Sequence, residues 1–219
     1  MSYKNQEIQL QLALDRLDWD TCFTLVEQTF DAIHRIEIGT GVIKEYGMPI
    51  LREMKRRFPD KVLVADMKTC DAGAHETRQA LDAGADVTTV MAFASNSTLL
   101  QALDVAAKMN REVMVDLLEV KDSHRVKDMV QQGVTSVSLH RGKDQQSQGE
   151  TADATSFHLL DGLTNIRVAV AGGLHAGNLH AVIPHHPDTV IVGSGITGSE
   201  NPAQAAAEIK RRLKDANHR

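Results

Sequence analysis

Three charged residues fall within six positions in the run Val62-Leu63-Val64-Ala65-Asp66-Met67-Lys68-Thr69-Cys70-Asp71-Ala72-Gly73. The run begins as an apolar segment suited to a strand buried on both faces. Strand side chains alternate, so Asp66 and Lys68 should point the same way. Burying such charges is costly unless they pair or hold a metal or an anionic ligand. A lysine between carboxylates stays protonated at neutral pH, because opposite charges favour its charged form. It is then a poor base but well suited to stabilise negative charge that appears during a reaction. The bland alternative is a structural ion-pair cluster, since perturbed charge clusters only correlate with function.

The elements that must position these charges can be read along the chain. Apolar runs bounded by turn signals predict strands at 8–14, 35–38, 62–66, 87–91, 112–117, 136–139, 167–171 and 189–192. Helices are expected between them at 18–28, 44–58, 74–83, about 96–109, 122–132, 154–160 and 178–183, with a last one from Pro202 to about Lys214. The polar stretch 141–151 reads as a long loop. Eight strand–helix alternations predict one parallel (β/α)8 TIM barrel over residues 1–219, with no linker and no second domain.

In such a barrel the chemistry gathers at the C-terminal ends of the strands. Asp15 ends the first strand, Glu37 lies near the end of the second, and Asp66 and Lys68 end the third. Asp116 sits near the end of the fifth, and His140 follows the sixth. Glu37 and Asp66 are oxygen donors on neighbouring strands. Two carboxylates, with water and substrate completing the shell, suit Mg²⁺ and not zinc. Gly172-Gly173 after the seventh strand and Gly193-Ser194-Gly195 after the eighth occupy the places where this fold commonly binds phosphate. His175, His180, His185 and His186 show no i, i+4 pair and read as surface residues.

Composition narrows the partners. A net charge of -5 without a basic run argues against nucleic acid or an anionic membrane as partner. No apolar stretch approaches a membrane span, and the polar opening Met1–Gln6 lacks the apolar core of a leader. Cys22 and Cys70 are far apart and form no metal-like pair, which fits a reducing, cytoplasmic setting. Cys70 reads as small buried filler.

The run Asp66-Met67-Lys68-Thr69-Cys70-Asp71 resembles the D-x-K-x-x-D signature of the orotidine 5′-phosphate decarboxylase suprafamily. Leu12-Ala13-Leu14-Asp15, Ile36-Glu37-Ile38-Gly39-Thr40, Val115-Asp116-Leu117 and Val170-Ala171-Gly172-Gly173 resemble the branch that holds 3-hexulose-6-phosphate synthases and 3-keto-L-gulonate-6-phosphate decarboxylases. The resemblance implies a homodimer with shared active sites, Asp71 reaching into the partner's site. It also implies Mg²⁺ on Glu37 and Asp66, and an enediolate stabilised by the metal and Lys68.

Within the branch, Asp116, Ala171 and Ser194 stand where the decarboxylases carry Glu, Thr and Arg. The run His140-Arg141-Gly142-Lys143-Asp144-Gln145-Gln146 resembles the synthase pattern H-x-G-x-D-x-Q. The expectation is an aldol lyase joining ribulose 5-phosphate and formaldehyde. In it His140 shuttles protons, Asp116 assists or positions water, and Asp15 and Asp71 hold Lys68 and substrate hydroxyls. The alternatives are decarboxylation of 3-keto-L-gulonate 6-phosphate, for which Lys143 would meet the carboxylate, and a catalytically silent barrel that binds a phosphorylated pentulose or hexulose.

Overall fold

The structure, a computed structural model, describes residues 7–216. The opening segment Met1–Gln6, read above for a leader, lies outside the described residues. Strands β1 (Gln9–Leu14), β2 (Arg35–Ile38), β3 (Val62–Thr69), β4 (Val87–Met91), β5 (Glu112–Asp116), β6 (Ser136–His140), β7 (Arg167–Ala171) and β8 (Thr189–Val192) follow one another around a closed parallel barrel. Closure is made by β8 against β1, with Leu12 beside Val192. The expected (β/α)8 fold is therefore the one observed.

Alternation sorts the strand residues into two layers. One face of each strand supplies the large core between barrel and helices, including Leu10, Leu12, Leu14, Ile36, Ile38 and Leu63. The other face fills the barrel with a smaller cluster of Val64, Val87, Met114, Ala169, Ala171 and Ile191. Above and among these lie buried polar side chains: Gln11, Glu37, Asp66, Thr89, Asp116 and Ser138. The barrel is thus filled by carbon and polar side chains together, with the carboxylates gathered near its mouth.

The helices are α1 (Trp19–Thr29), α2 (Thr40–Tyr46), α3 (Met48–Arg57), α4 (Gly73–Asp82), α5 (Asn96–Lys108), α6 (Ser123–Gln131), α7 (Lys143–Ser147), α8 (Ser194–Thr197) and α9 (Pro202–Ala216). Asp18 caps α1 by accepting from the Thr21 N–H, as its residue type predicts. Several expectations change. The single helix 44–58 is broken at Gly47, whose backbone is left-handed (φ 64°), and Pro49 opens the second piece. The loop 141–151 contains the short α7, begun where the Gly142 N–H donates to Gln145 Oε1. Residues 154–160 form a 3-10 helix, and 178–183 is replaced by two 3-10 turns, Leu179–Ala181 and Ile183–His185. β3 runs on to Thr69, past the expected end at Asp66.

That extension ends in a tight joint. A Cβ on Gly73, at the start of α4, would lie 2.1 Å from the Thr98 carbonyl oxygen on α5. Because the obstructing atom is backbone, no rotamer change can relieve the clash. Gly73→Ala should lower stability by roughly 1–3 kcal/mol or more, which for a chain of this size is a fall of several degrees in unfolding midpoint. Thermal and urea unfolding of the two proteins would measure it; an unchanged midpoint would show that α4 and α5 can separate freely.

Candidate active site

A cavity of about 370 Å³ opens at the C-terminal ends of the strands. It is lined by Asp15, Glu37, Asp66, Lys68, Asp116 and His140, and also by Gly172, Gly173, Gly193, Ser194 and Lys143. The sequence-predicted candidates therefore converge on one cleft, with the exception of Asp71.

Lys68 is the centre of its charge network. The strand delivers it by an unusual route: its own backbone is left-handed (φ 48°), and the β3–β4 register shifts between Ala65 and Thr69. Such a bulge re-aims a side chain, and strained non-glycine backbone gathers at functional sites. The Lys68 N–H is held by Thr89 Oγ1 at 2.9 Å. Its Nζ donates to Asp116 Oδ2 and lies 3.2 Å from Asp66 Oδ2. Burial opposes the ammonium, but Asp66 and Asp116 outweigh it and raise the lysine pKa. Lys68 is a fixed cation.

Asp116 is shared between Lys68 and His140. Besides Lys68 it meets His140 Nδ1, 3.0 Å from its Oδ2, and it accepts from the Leu118 N–H at 2.9 Å. Burial works against this carboxylate, yet His140 and Lys68 hold it well below the usual range. His140 in turn is half-buried. Burial alone would depress the imidazole, but Asp116 overcomes this and raises its pKa. With Nδ1 committed to Asp116, Nε2 is the ring atom left for proton transfer.

Glu37 and Asp66 form the acidic wall. Glu37 is 9 % exposed and Asp66 8 %. Thr89 Oγ1 donates to Asp66 Oδ1, and the single Thr40 hydroxyl proton lies within reach of both Asp66 Oδ2, at 2.9 Å, and the Asp66 backbone oxygen, at 2.7 Å. Gln11 Nε2 donates to Glu37 Oε2. Burial, then the neighbouring charge of Asp66, pushes the Glu37 carboxyl up to about 7. A divalent cation beside the pair would relieve that charge crowding, so the donor set suits a hard cation. Among the described residues no group of three or more His, Cys, Asp or Glu side chains is arranged around one metal position. Two carboxylates, with water and substrate in the remaining positions, would suit Mg²⁺.

The opposite wall is backbone. Gly172 and Gly173 both have positive φ (123° and 66°). A Cβ on Gly172 would also lie 2.6 Å from Arg141 Cβ, so this turn admits only glycine. Lys143, exposed on α7, is the cation on that side of the cleft. Gln146 of α7 reaches back to donate to the Arg141 carbonyl at 2.8 Å, which anchors the turn.

Some placements differ from expectation. Asp15 and Asp71 were expected to hold Lys68, and within the chain that task falls to Asp66 and Asp116. Asp15 instead accepts from the Gly41 N–H at 2.9 Å and pairs with Arg16 at 3.3 Å. Asp71 lies beyond the strand end, exposed, accepting from the Ala72 N–H of its own loop. Cys70, expected as buried filler, is exposed, because it follows the end of β3; Cys22 is the buried one, its thiol raised to about 11 by burial. The four clustered histidines are exposed, His185 stacking on Phe157. Sequence reasoning missed Gln11, Thr40 and Thr89. Their signal was a neutral polar residue at a barrel-facing position of a strand or its following turn, which charge-seeking passes over.

Comparison with known proteins agrees with this geometry. The 3-hexulose-6-phosphate synthase of Bacillus subtilis (strain 168) is 35% identical over 205 residues, covering 93% of this chain and 98% of that protein. The crystal structure of 3-hexulose-6-phosphate synthase from Salmonella typhimurium superposes with a TM-score of 0.93 at 31% identity, covering 95% of this chain and 100% of that one. A crystal structure of KGPDC from Streptococcus mutans gives a TM-score of 0.90 at 28% identity, with 96% and 99% covered. The family described as orotidine 5′-phosphate decarboxylase / HUMPS matches residues 8–209. With that match running through every strand of the barrel, the chain belongs to the orotidine 5′-phosphate decarboxylase / HUMPS family.

Proposed function

We propose that the protein is a carbon–carbon lyase of the 3-hexulose-6-phosphate synthase type, joining ribulose 5-phosphate and formaldehyde through an enediolate. The observation that carries this reading is Lys68, fixed as a cation between Asp66 and Asp116 beside the Glu37–Asp66 pair. Such an ammonium stabilises an oxyanion as it forms. The glycine turns after β7 and β8, with Lys143, would take the phosphate. Glu37 and Asp66 would hold Mg²⁺, which when bound supplies Lewis-acid polarisation of the sugar oxygens. His140 would carry the proton from the sugar carbon at Nε2 and return it to the formaldehyde oxygen, with Asp116 steadying the imidazolium. Asp15, at the rim, would meet a substrate hydroxyl.

A second reading, decarboxylation of 3-keto-L-gulonate 6-phosphate, is favoured by one observation: Lys143 reaches the cleft, where a substrate carboxylate would meet it. Asp116, Ala171 and Ser194 support the synthase. A silent sugar-phosphate-binding barrel would have no use for the intact Lys68–Asp116–His140 arrangement.

The dimer belongs to the same proposal. Asp71 is exposed and committed to no residue of its own cleft, as a group serving a second copy would be. Phe93, 63 % exposed, and Leu100, 46 % exposed, lie on the neighbouring β4–α5 unit and offer an apolar contact. No helix among the described residues is long and apolar enough to cross a membrane. A cytoplasmic setting is proposed with the sugar-phosphate chemistry.

Three outcomes test this reading. Formaldehyde should disappear when the protein meets ribulose 5-phosphate with Mg²⁺, cease to disappear with EDTA, and fall by about 10²–10³-fold or more in rate of loss in Lys68→Ala. Near-normal turnover in that variant would sink the mechanism, and CO₂ release from 3-keto-L-gulonate 6-phosphate would favour the second reading.

His140, followed by NMR in the metal-free protein with His140→Gln as assignment control, should titrate above its ordinary value of 6.5. In Asp116→Asn it should fall below that value, because burial then acts with little opposition. An unchanged titration would remove Asp116 from its role.

Mixing Lys68→Ala with Asp71→Ala protein should restore activity that neither has alone, because a mixed dimer contains one site intact in both residues. Failure to restore it, with dimers present by ultracentrifugation, would confine Asp71 to its own chain.

A further inference from the structure

Gln11 is fully buried in a strand face that leads straight to the cleft. On β1, Gln11, Ala13 and Asp15 share one face. Ala13 packs against the cluster inside the barrel and Asp15 lines the mouth. Gln11 therefore points into the barrel below them. On β2 the same alternation puts Arg35 one level below Glu37. Gln11 stands beside Arg35, and Ala13 beside Glu37, in the β1–β2 register.

The hydrogen-bonding of this column is half complete. Gln11 Nε2 donates upward to Glu37 Oε2. Arg35 Nη1 reaches Thr189 Oγ1 of β8 at 3.4 Å. Two of the buried side-chain atoms left without a partner belong to this column: the acceptor Gln11 Oε1 and the donor Arg35 Nε. They belong to side chains paired in register, and an unmade buried hydrogen bond is costly. A water molecule satisfies such a couple, because it can donate to one and accept from the other.

We propose that Gln11 is a positioning residue for Glu37. Its Nε2 fixes the carboxylate in the orientation that faces Asp66, and a buried water joining Gln11 Oε1 to Arg35 Nε fixes Gln11 in turn. Carboxylates that hold metals are commonly oriented by such hydrogen bonds, and losing one weakens metal binding roughly 10–100-fold. The proposal rests on Glu37 and Asp66 being the cation site.

The test uses Mn²⁺ as an EPR-visible substitute for Mg²⁺, titrated into the full-length wild type, Gln11→Met and Glu37→Gln. Gln11→Met keeps the volume and removes the donor; its Mn²⁺ affinity should fall roughly 10–100-fold in a protein that still unfolds cooperatively. Wild-type affinity in that variant overturns the proposal, and so does a lowered midpoint without loss of affinity, the mark of a purely structural glutamine. Should Gln11→Met not fold, Gln11→Asn retains an amide and withdraws the donor by one methylene; undiminished Mn²⁺ affinity there overturns the proposal equally. Mn²⁺ affinity unchanged in Glu37→Gln overturns the cation site itself, and a loss there beside a normal Gln11→Met overturns only the role of Gln11.

Discussion

The attraction that holds a half-buried lysine ammonium against two aspartates is the constraint on which this site depends. Desolvation alone would push Lys68 toward neutrality, and neutral it could not stabilise an oxyanion. Asp66 and Asp116 reverse that balance. Each aspartate is in turn held in place by other groups: Thr40 and Thr89 for Asp66, His140 and the Leu118 N–H for Asp116. The network is mutually supportive, so removing one member leaves a buried charge without its partner. It also explains the division of labour between the imidazole and the ammonium. Of the two, an imidazole is the group whose ordinary range lies near neutrality, so His140 is the one suited to exchange a proton.

The barrel supplies what such a network needs. The ends of β1, β2, β3, β5 and β6 bring ionisable groups to one mouth, and the packed layer of Val64, Val87, Met114, Ala169, Ala171 and Ile191 beneath it keeps those groups from settling inward. Two kinds of wall result. One side is side-chain carboxylate, suited to a cation. The other is glycine backbone, suited to an anion. A sugar phosphate with adjacent oxygens at its far end would span both requirements, which is why the glycine wall and the acidic pair make most sense as parts of one site.

Much of this is legible in the sequence, because barrel strands advertise themselves as short apolar runs and their charged ends stand out against them. Asp66, Lys68, Asp116 and His140 are found that way. What is not read there has local causes. That Asp71 lies outside the cleft of its own chain follows from the strand ending at Thr69 and the turn through a left-handed Ala72. The left-handed Lys68 could not be foreseen, since nothing about lysine favours that backbone. The helix break at Gly47 is signalled by glycine and proline, yet the apolar periodicity around it masks the signal. The α7 turn is polar throughout and is held by side-chain bonds to its own backbone, a device that periodicity does not report. Gln11, Thr40 and Thr89 escape because they are uncharged.

The seam between β8 and β1 has a consequence for how the protein is made. Leu12 pairs with Val192, so the barrel cannot close until nearly the entire chain is available. The acidic wall comes from early strands and the glycine wall from late ones. A growing chain can therefore acquire the carboxylates and Lys68 long before it can grip a phosphate. Contacts so distant in sequence also slow folding, because their loop entropy is lost before they form. Catalytic competence should arrive late and all at once, as the last strand docks.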